Sequence, residues 1–222
     1  MSVSILTASS LNGVITAARG RSGEELVSVL EAPRRVLEWK YEVRRRHDAV
    51  LVGTNTVLVD NPSLRSHVLP GVEGVRASVD PLGRIPRHSR LFDGAARTLV
   101  GVNASTPEEY LDFLDRRGVE AVPCGGEGGR CDLRDLLGGL ARKGVRDVAV
   151  EGGGELNRAL LDADLVDRLY VMLMPAVLDS RSVRLFEEGG TAPVRFRLED
   201  VERAGDFLLL SLTRTARSPG VW

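Results

Sequence analysis

Residues 148–161 read Val-Ala-Val-Glu-Gly-Gly-Gly-Glu-Leu-Asn-Arg-Ala-Leu-Leu, an apolar run that halts at three glycines and resumes with helical spacing. Val148, Ala149 and Val150 suit a buried strand, and Leu156, Leu160 and Leu161 fall on one face of a helix. Gly152, Gly153 and Gly154 lie between them. Without Cβ atoms they let the backbone turn and let a ligand approach where the first amides of a helix are unpaired. That suits an anion. The same glycines could also do no more than turn a tight corner, so the rest of the chain must discriminate.

From the start of the chain, residues 2–9 suit a strand that ends in the turn signal Ser10-Leu11-Asn12-Gly13, most simply a hairpin turn with residues 14–17 continuing the sheet. Pro33 interrupts the charged segment 21–47 and starts a helix carrying Val36, Leu37, Tyr41 and Arg44. A strand at 49–52 opens into Gly53-Thr54-Asn55-Thr56, and Asp60-Asn61-Pro62 closes that element. It reads both as a capped helical turn and as a hydrogen-bonding surface. Strands follow at 76–79 and 98–102, the first leading into the loop 80–86. Thr106, Pro107 and Glu109 form a capping box for a helix that stops at Gly118, which leaves Ser105 available to a ligand. A short strand at 119–122, a helix at 133–143, a strongly apolar strand at 168–174 and a hairpin around Ala204-Gly205-Asp206 follow, with 216–222 a loose tail. Strand-helix units in the middle and hairpin-like strands at both ends predict an α/β fold, a mixed, mainly parallel sheet flanked by helices. No linker divides the 222 residues, so they are read as one domain.

Composition narrows the function. Thirty Lys and Arg against 31 Asp and Glu leave a net charge of −1, which gives no electrostatic reason for nucleic acid or an anionic membrane as partner. The N-terminus lacks a basic leader and no window approaches a membrane span, so a cytoplasmic protein is expected. Cys124 and Cys131 match no common zinc or redox spacing and are expected as reduced thiols in a loop. His47, His67 and His88 form no close pair with each other or with cysteine, so no metal is expected. Neither G-x-G-x-x-G after the first strand nor a glycine-Lys-Ser/Thr element occurs, which argues against a standard Rossmann unit and a P-loop.

Four motifs in register carry a family resemblance: Ser10-Leu11-Asn12-Gly13; Gly53-Thr54-Asn55-Thr56-Val57-Leu58 with Asp60-Asn61-Pro62-Ser63-Leu64; Val79-Asp80 with Arg84-Ile85-Pro86; and Glu151-Gly152-Gly153-Gly154 with Leu165-Val166-Asp167. The chain resembles the pyrimidine reductases of riboflavin biosynthesis, both the stand-alone type and the C-terminal domain of the bifunctional deaminase-reductase. The resemblance implies a dihydrofolate-reductase-like three-layer fold, NADPH as cofactor and a homodimer. It also implies reduction of a ribosylamino-pyrimidine 5′-phosphate to the ribitylamino compound by hydride transfer to the sugar C1′.

Carried over by position, the resemblance assigns Thr56, Asp60, Pro81, Leu82, Gly83, Arg84, Gly152, Gly153, Gly154 and Glu155 to the cofactor; its 2′-phosphate needs donors, for which Arg84 and Ser105 are the candidates. It assigns Asn12, Arg44, Ser63, Leu64, His67 and Glu151 to the substrate. A carboxylate at a strand end beside the glycine loop, Glu151, can accept from the amino groups of a diaminopyrimidine, and can equally favour the helix dipole. Two departures stand out: Asn12 replaces the Asp usual in the first motif, and the segment at Ser28-Val29-Leu30 lacks the family pattern. Neither H-x-E nor P-C-x-x-C occurs, so deamination would need another protein. Two further readings remain open: a same-fold reductase of another pterin-like, pyrimidine or natural-product substrate, and a non-catalytic nucleotide-binding homologue. The apolar strand 168–174 suits a dimer interface and a core strand equally, since the two carry the same pattern.

Overall fold

The computed structural model describes residues 1–16, 28–64, 74–179, 181–189 and 193–215. His67, Ala17, residues 21–27 and the tail 216–222 lie outside the described residues.

Nine strands form one sheet: β1 (Ser2–Ser10), β2 (Ala49–Gly53), β3 (Val75–Val79), β4 (Thr98–Val102), β5 (Glu120–Pro123), β6 (Asp147–Val150), β7 (Arg168–Met174), β8 (Phe196–Ala204) and β9 (Phe207–Arg214). Their order is β5-β4-β3-β2-β6-β1-β7-β9-β8. The first seven pair in parallel, while β7-β9 and β9-β8 are antiparallel. The expected mixed, mainly parallel sheet is therefore present. Five α-helices with described bounds flank it: α1 (Arg34–Arg45), α2 (Thr54–Asp60), α3 (Glu108–Arg116), α4 (Leu133–Arg142) and α5 (Gly154–Asp162).

Strand alternation splits the side chains into layers. On β2, Ala49 and Leu51 join a cluster with Leu136, Leu140 and Leu160 of α4 and α5, while Val50 and Val52 join one with Tyr110 and Leu114 of α3. On β7, Leu169 and Val171 enter the first cluster, and Tyr170, Met172 and Met174 pack with Val36, Trp39 and Val43 of α1. Central strands covered on both faces need apolar residues at every position, which explains the unbroken run in β7. Of the two readings the sequence left open for this run, the structure shows core: it lies between β1 and β9. A core strand and an interface strand carry the same pattern, so the sequence could not separate them.

Three other expectations change. β1 is no hairpin arm: it sits between β6 and β7, parallel to both. Asn12-Gly13 does make a tight turn, with the Ser10 amide donating to the Val14 carbonyl at 2.9 Å, but among the described residues only an isolated bridge from Val14 to Arg184 follows it. Thr106 does not cap α3. Its hydroxyl donates to the Pro81 carbonyl at 2.8 Å and accepts from the Asn103 amide at 3.0 Å, tying two loops together, and Pro107 takes the N-cap position. Cys124 and Cys131 are joined in a disulfide with Cα atoms 5.5 Å apart, a separation suited to the bond. Their loop returns on itself through the Asp132 amide, which donates to the Gly125 carbonyl.

One buried charge holds the β3-β4 side together. Arg76 is 1 % exposed and donates to Thr98 Oγ1 at 3.1 Å, Asp93 Oδ1 at 2.8 Å, and the carbonyls of Arg90 and Ala96 at 3.1 and 3.0 Å. Arg76→Met removes this donor from all of them. We expect it to lower unfolding free energy by about 3 kcal/mol in urea titration, and a loss below about 1 kcal/mol would contradict the role assigned to Arg76.

Candidate active site

The seven parallel strands run in one direction, so the loops after them collect at one edge of the sheet. Ligands of open α/β sheets bind at such an edge. A cleft of about 1300 Å³ opens there. Its walls include Thr7 and Ala8 of β1, Lys40, Tyr41 and Arg44 of α1, the start of α2, Pro81 and Arg84 after β3, Arg130 after β5, and Glu151 to Glu155 after β6.

At its centre stands Glu151, one residue beyond β6, fixed by its amide donating to the Leu51 carbonyl at 2.9 Å. Arg44 grips the carboxylate with both arms of its guanidinium: Nη2 donates to Oε2 at 2.6 Å and Nε donates to Oε1. Lys40 Nζ lies 3.5 Å from Oε2. The Arg44 and Glu151 side chains are 10 % and 9 % exposed. Burial alone would raise the Glu151 pKa, but the charges of Arg44 and Lys40 prevail and hold it at about 2. The cleft thus keeps a fixed, ionised acceptor at neutral pH. Tyr41 supports the arrangement, its ring centroid 5.3 Å from the Arg44 guanidinium carbon.

Beside Glu151 the chain forms a glycine cradle. A Cβ on Gly152 would meet Leu156 Cδ2 at 2.7 Å and the Gly53 nitrogen at 3.4 Å, and one on Gly153 would approach Thr56 Oγ1 at 3.7 Å. Among the described residues, the amides of Gly152, Gly153 and Gly154 find no acceptor; Gly153 is the N-cap of α5 and Gly154 its first residue, whose amides cannot pair within the helix itself. A diphosphate fits this cradle by its donors and by the room the missing side chains leave. Glu155, the next residue, also lines the cleft.

Of the residues read from sequence, Arg44, Leu64, Glu151, Thr56, Asp60, Pro81, Arg84, Gly152, Gly153, Gly154 and Glu155 line one cleft. Asn12, Ser63, Leu82, Gly83 and Ser105 are not among its walls, and His67 is outside the described residues. Gly83 turns the loop with φ +64° over the Tyr110 ring. Ser63 is buried, and its carbonyl faces Arg76. Ser105 Oγ accepts from the Gly128 amide at 3.2 Å, so this hydroxyl holds a neighbouring loop.

Asn12 is a staple. Its Oδ1 accepts from Ser10 Oγ at 2.7 Å and the Leu178 amide at 3.1 Å, and its Nδ2 donates to the Leu178 carbonyl at 2.7 Å. The last of these bonds needs an amide. Asn12→Asp presents an acceptor to that carbonyl, and we expect a loss of about 1–3 kcal/mol in stability with no gain in turnover. Higher turnover at unchanged stability would return Asn12 to the substrate site.

Lys40 and Arg130 were not read from the sequence as site residues. Lys40 lies four residues before Arg44, a spacing that puts both on one helix face, so its partnership with Glu151 was within reach of pattern reading. Arg130 comes to the cleft through the turn of a glycine-rich loop, which leaves no periodic signal.

Comparison with known proteins gives the same frame. The RibD C-terminal domain family matches residues 2–210. The chain is 36 % identical over 211 residues to a 2,5-diamino-6-ribosylamino-4(3H)-pyrimidinone 5′-phosphate reductase of Methanothermobacter thermautotrophicus, covering 94 % of this chain and 89 % of the relative. It is 33 % identical over 214 residues to the reductase of that name from Archaeoglobus fulgidus, covering 92 % and 94 %. Among solved structures, Acinetobacter baumannii RibD superposes with a TM-score of 0.77 at 23 % identity, over 96 % of this chain and 58 % of that one. A pyrimidine reductase-like protein of Corynebacterium diphtheriae gives 0.73 at 19 % identity, over 97 % and 92 %. These structural likenesses establish the dihydrofolate-reductase-like fold.

Proposed function

The chain belongs to the RibD C-terminal domain family, and on that premise we propose that it is an NADPH-dependent reductase of riboflavin biosynthesis. It converts a 2,5-diamino-6-ribosylamino-pyrimidinone 5′-phosphate to the ribitylamino compound. The observation that carries this reading is the ionised Glu151, held by Arg44 and Lys40, directly beside the glycine cradle. One ligand with amino groups and one with a diphosphate can be held side by side there.

The roles divide accordingly. Glu151 accepts hydrogen bonds from the pyrimidine amino groups, and Arg44 and Lys40 keep it charged and aligned. Gly152, Gly153 and Gly154 with Thr56 take the cofactor diphosphate, while Asp60, Pro81 and Glu155 shape the walls around it. Arg84, whose Nη2 donates to Asn55 Oδ1 at 3.1 Å, faces the 2′-phosphate. When bound, the nicotinamide supplies a hydride. The chain's task is orientation: Leu6, Ile15, Leu64 and Met172 line the cleft with apolar surface, which excludes water from the reacting groups. A proton accompanies the hydride, so the product gains two hydrogens as the sugar ring opens.

The proposal includes one reductase domain over 1–222 acting as a cytoplasmic homodimer on small molecules rather than nucleic acid. Among the described residues no helix is long and apolar enough to cross a membrane. The direct test is loss of reduced-nicotinamide absorbance with the ribosylamino-pyrimidinone phosphate. Substrate-dependent oxidation of NADPH is expected. Tight NADPH binding without turnover would move the assignment to another substrate.

A further inference from the structure

We infer that Arg130, on the disulfide-closed loop after β5, is a specificity-determining residue that reads the cofactor's 2′-phosphate together with Arg84. The inference rests on the NADPH reading above and adds a residue that neither the motifs nor the family comparison assigns.

Three loops meet at the β3-β4-β5 end of the cleft, and the structure knits them into one wall. The Thr106 hydroxyl donates to the Pro81 carbonyl, joining the loop after β4 to the loop after β3. Asn103 Nδ2 donates to the carbonyls of Gly128 and Arg130 at 3.1 and 2.9 Å, and the Gly128 amide donates to Ser105 Oγ at 3.2 Å, joining the loop after β4 to the loop after β5. Gly129 approaches Leu82 so closely that a Cβ there would lie 3.3 Å from Leu82 Cδ1. The Cys124–Cys131 disulfide closes the base of the third loop. The backbone on both sides of Arg130 is therefore anchored at four points.

The side chain of Arg130 is not used in that anchoring. It is exposed, lines the cleft with Arg84, and makes no ion pair or hydrogen bond among the described residues. Among the described residues the Arg84 side chain makes a single hydrogen bond, to the neutral Asn55. Two guanidinium groups on one wall, with no carboxylate partner among the described residues, form a receptor for a dianion, and each can offer a bidentate pair of donors to phosphate oxygens. The wall lies beyond the glycine cradle from the β1 side of the cleft, where an adenosine ribose belongs if the diphosphate sits on the cradle and the nicotinamide beside Glu151. Ser105, the hydroxyl that the sequence offered for this role, is bonded to Gly128 instead and so orients the loop that presents Arg130.

The test measures NADPH and NADH dissociation constants by fluorescence titration for wild type, Arg130→Ala, Arg130→Lys and Arg130→Glu. Arg130→Ala should weaken NADPH by roughly ten- to a hundredfold and leave NADH within about twofold. Arg130→Lys should retain part of the preference, and Arg130→Glu should favour NADH. The wild-type preference should also shrink as salt rises from about 0.05 to 0.5 M, because an exposed charge contact is screened, whereas the Arg130→Ala preference should change less. An NADPH:NADH ratio unchanged by all three substitutions, in a protein that binds both cofactors, overturns the inference and leaves the cofactor reading standing. A wild-type protein that binds neither cofactor overturns that reading, and the inference with it. Arg130 is exposed and outside every core cluster, so its variants should fold with wild-type circular dichroism.

Discussion

Glu151→Gln lowers kcat/KM for the pyrimidine substrate by roughly a hundred- to a thousandfold while NADPH affinity stays within a few-fold of wild type. The estimate is that of losing one or two charge-assisted hydrogen bonds, each about 1.5–3 kcal/mol. Glutamine keeps the shape but cannot accept with both oxygens, and it leaves Arg44 and Lys40 facing a neutral group. Stability falls too, because removing one partner of a buried pair costs about 3 kcal/mol or more. The sign of the pH dependence follows from the depressed pKa. Glu151 contributes stability fully above its ordinary value of 4.5, and that contribution is lost as pH falls toward about 2. Acid denaturation of wild type should therefore show a component in that window that is missing from Glu151→Gln. A variant with wild-type kcat/KM would remove Glu151 from the substrate site.

Gly154→Ala has the second large effect. A Cβ there would lie 2.1 Å from the Arg184 carbonyl oxygen and 3.1 Å from Glu187 Cγ. The Arg184 carbonyl belongs to backbone that is fixed on both sides: the Ile15 amide donates to the Val183 carbonyl, the Leu185 amide to the Gly13 carbonyl, and Asn157 Nδ2 to the Leu185 carbonyl. Alanine suits a helix, so any loss comes from this contact and not from propensity. We expect about 1–3 kcal/mol of destabilisation and a rise of at least about tenfold in the NADPH dissociation constant, since the first turn of α5 must shift. Gly153→Ala is the control for stability, because its Cβ meets only Thr56 Oγ1 at 3.7 Å. Thermal unfolding and cofactor titration of the two variants separate the effects. Equal stability and affinity for Gly154→Ala and wild type would show that the cradle is not as rigid as its contacts imply.

The sequence made the strand-glycine-helix unit legible because each part carries a local signal: a β-branched run, three residues without Cβ, then leucines at helical spacing. The helix after Pro33 and the hairpin at Ala204-Gly205-Asp206 were legible for the same reason. What escaped depends on partners far apart in the chain. β1 resembles any strand followed by Asn-Gly, and only its pairing with β6 and β7 puts it at the sheet centre. Thr106 has capping-box neighbours, yet its hydroxyl meets Pro81, 25 positions away. Ser105 and Asn12 have side chains suited to a ligand, and the fold engages both internally. The positions of Glu151 and Arg44 were readable from motif order. Their bond spans 107 positions and was not readable, nor was the depressed pKa that follows from it.

The central claim is that this cleft brings a reduced nicotinamide to the sugar C1′ of a ribosylamino-pyrimidine phosphate. NADPH deuterated at the transferring C4 position, incubated with the purified protein and that substrate, tests it in one measurement by mass spectrometry and NMR of the product. Deuterium at C1′ of a ribityl chain, in step with NADPH consumed, is the predicted result. An unreduced sugar, or NADPH consumption with no deuterium at C1′, would contradict the account.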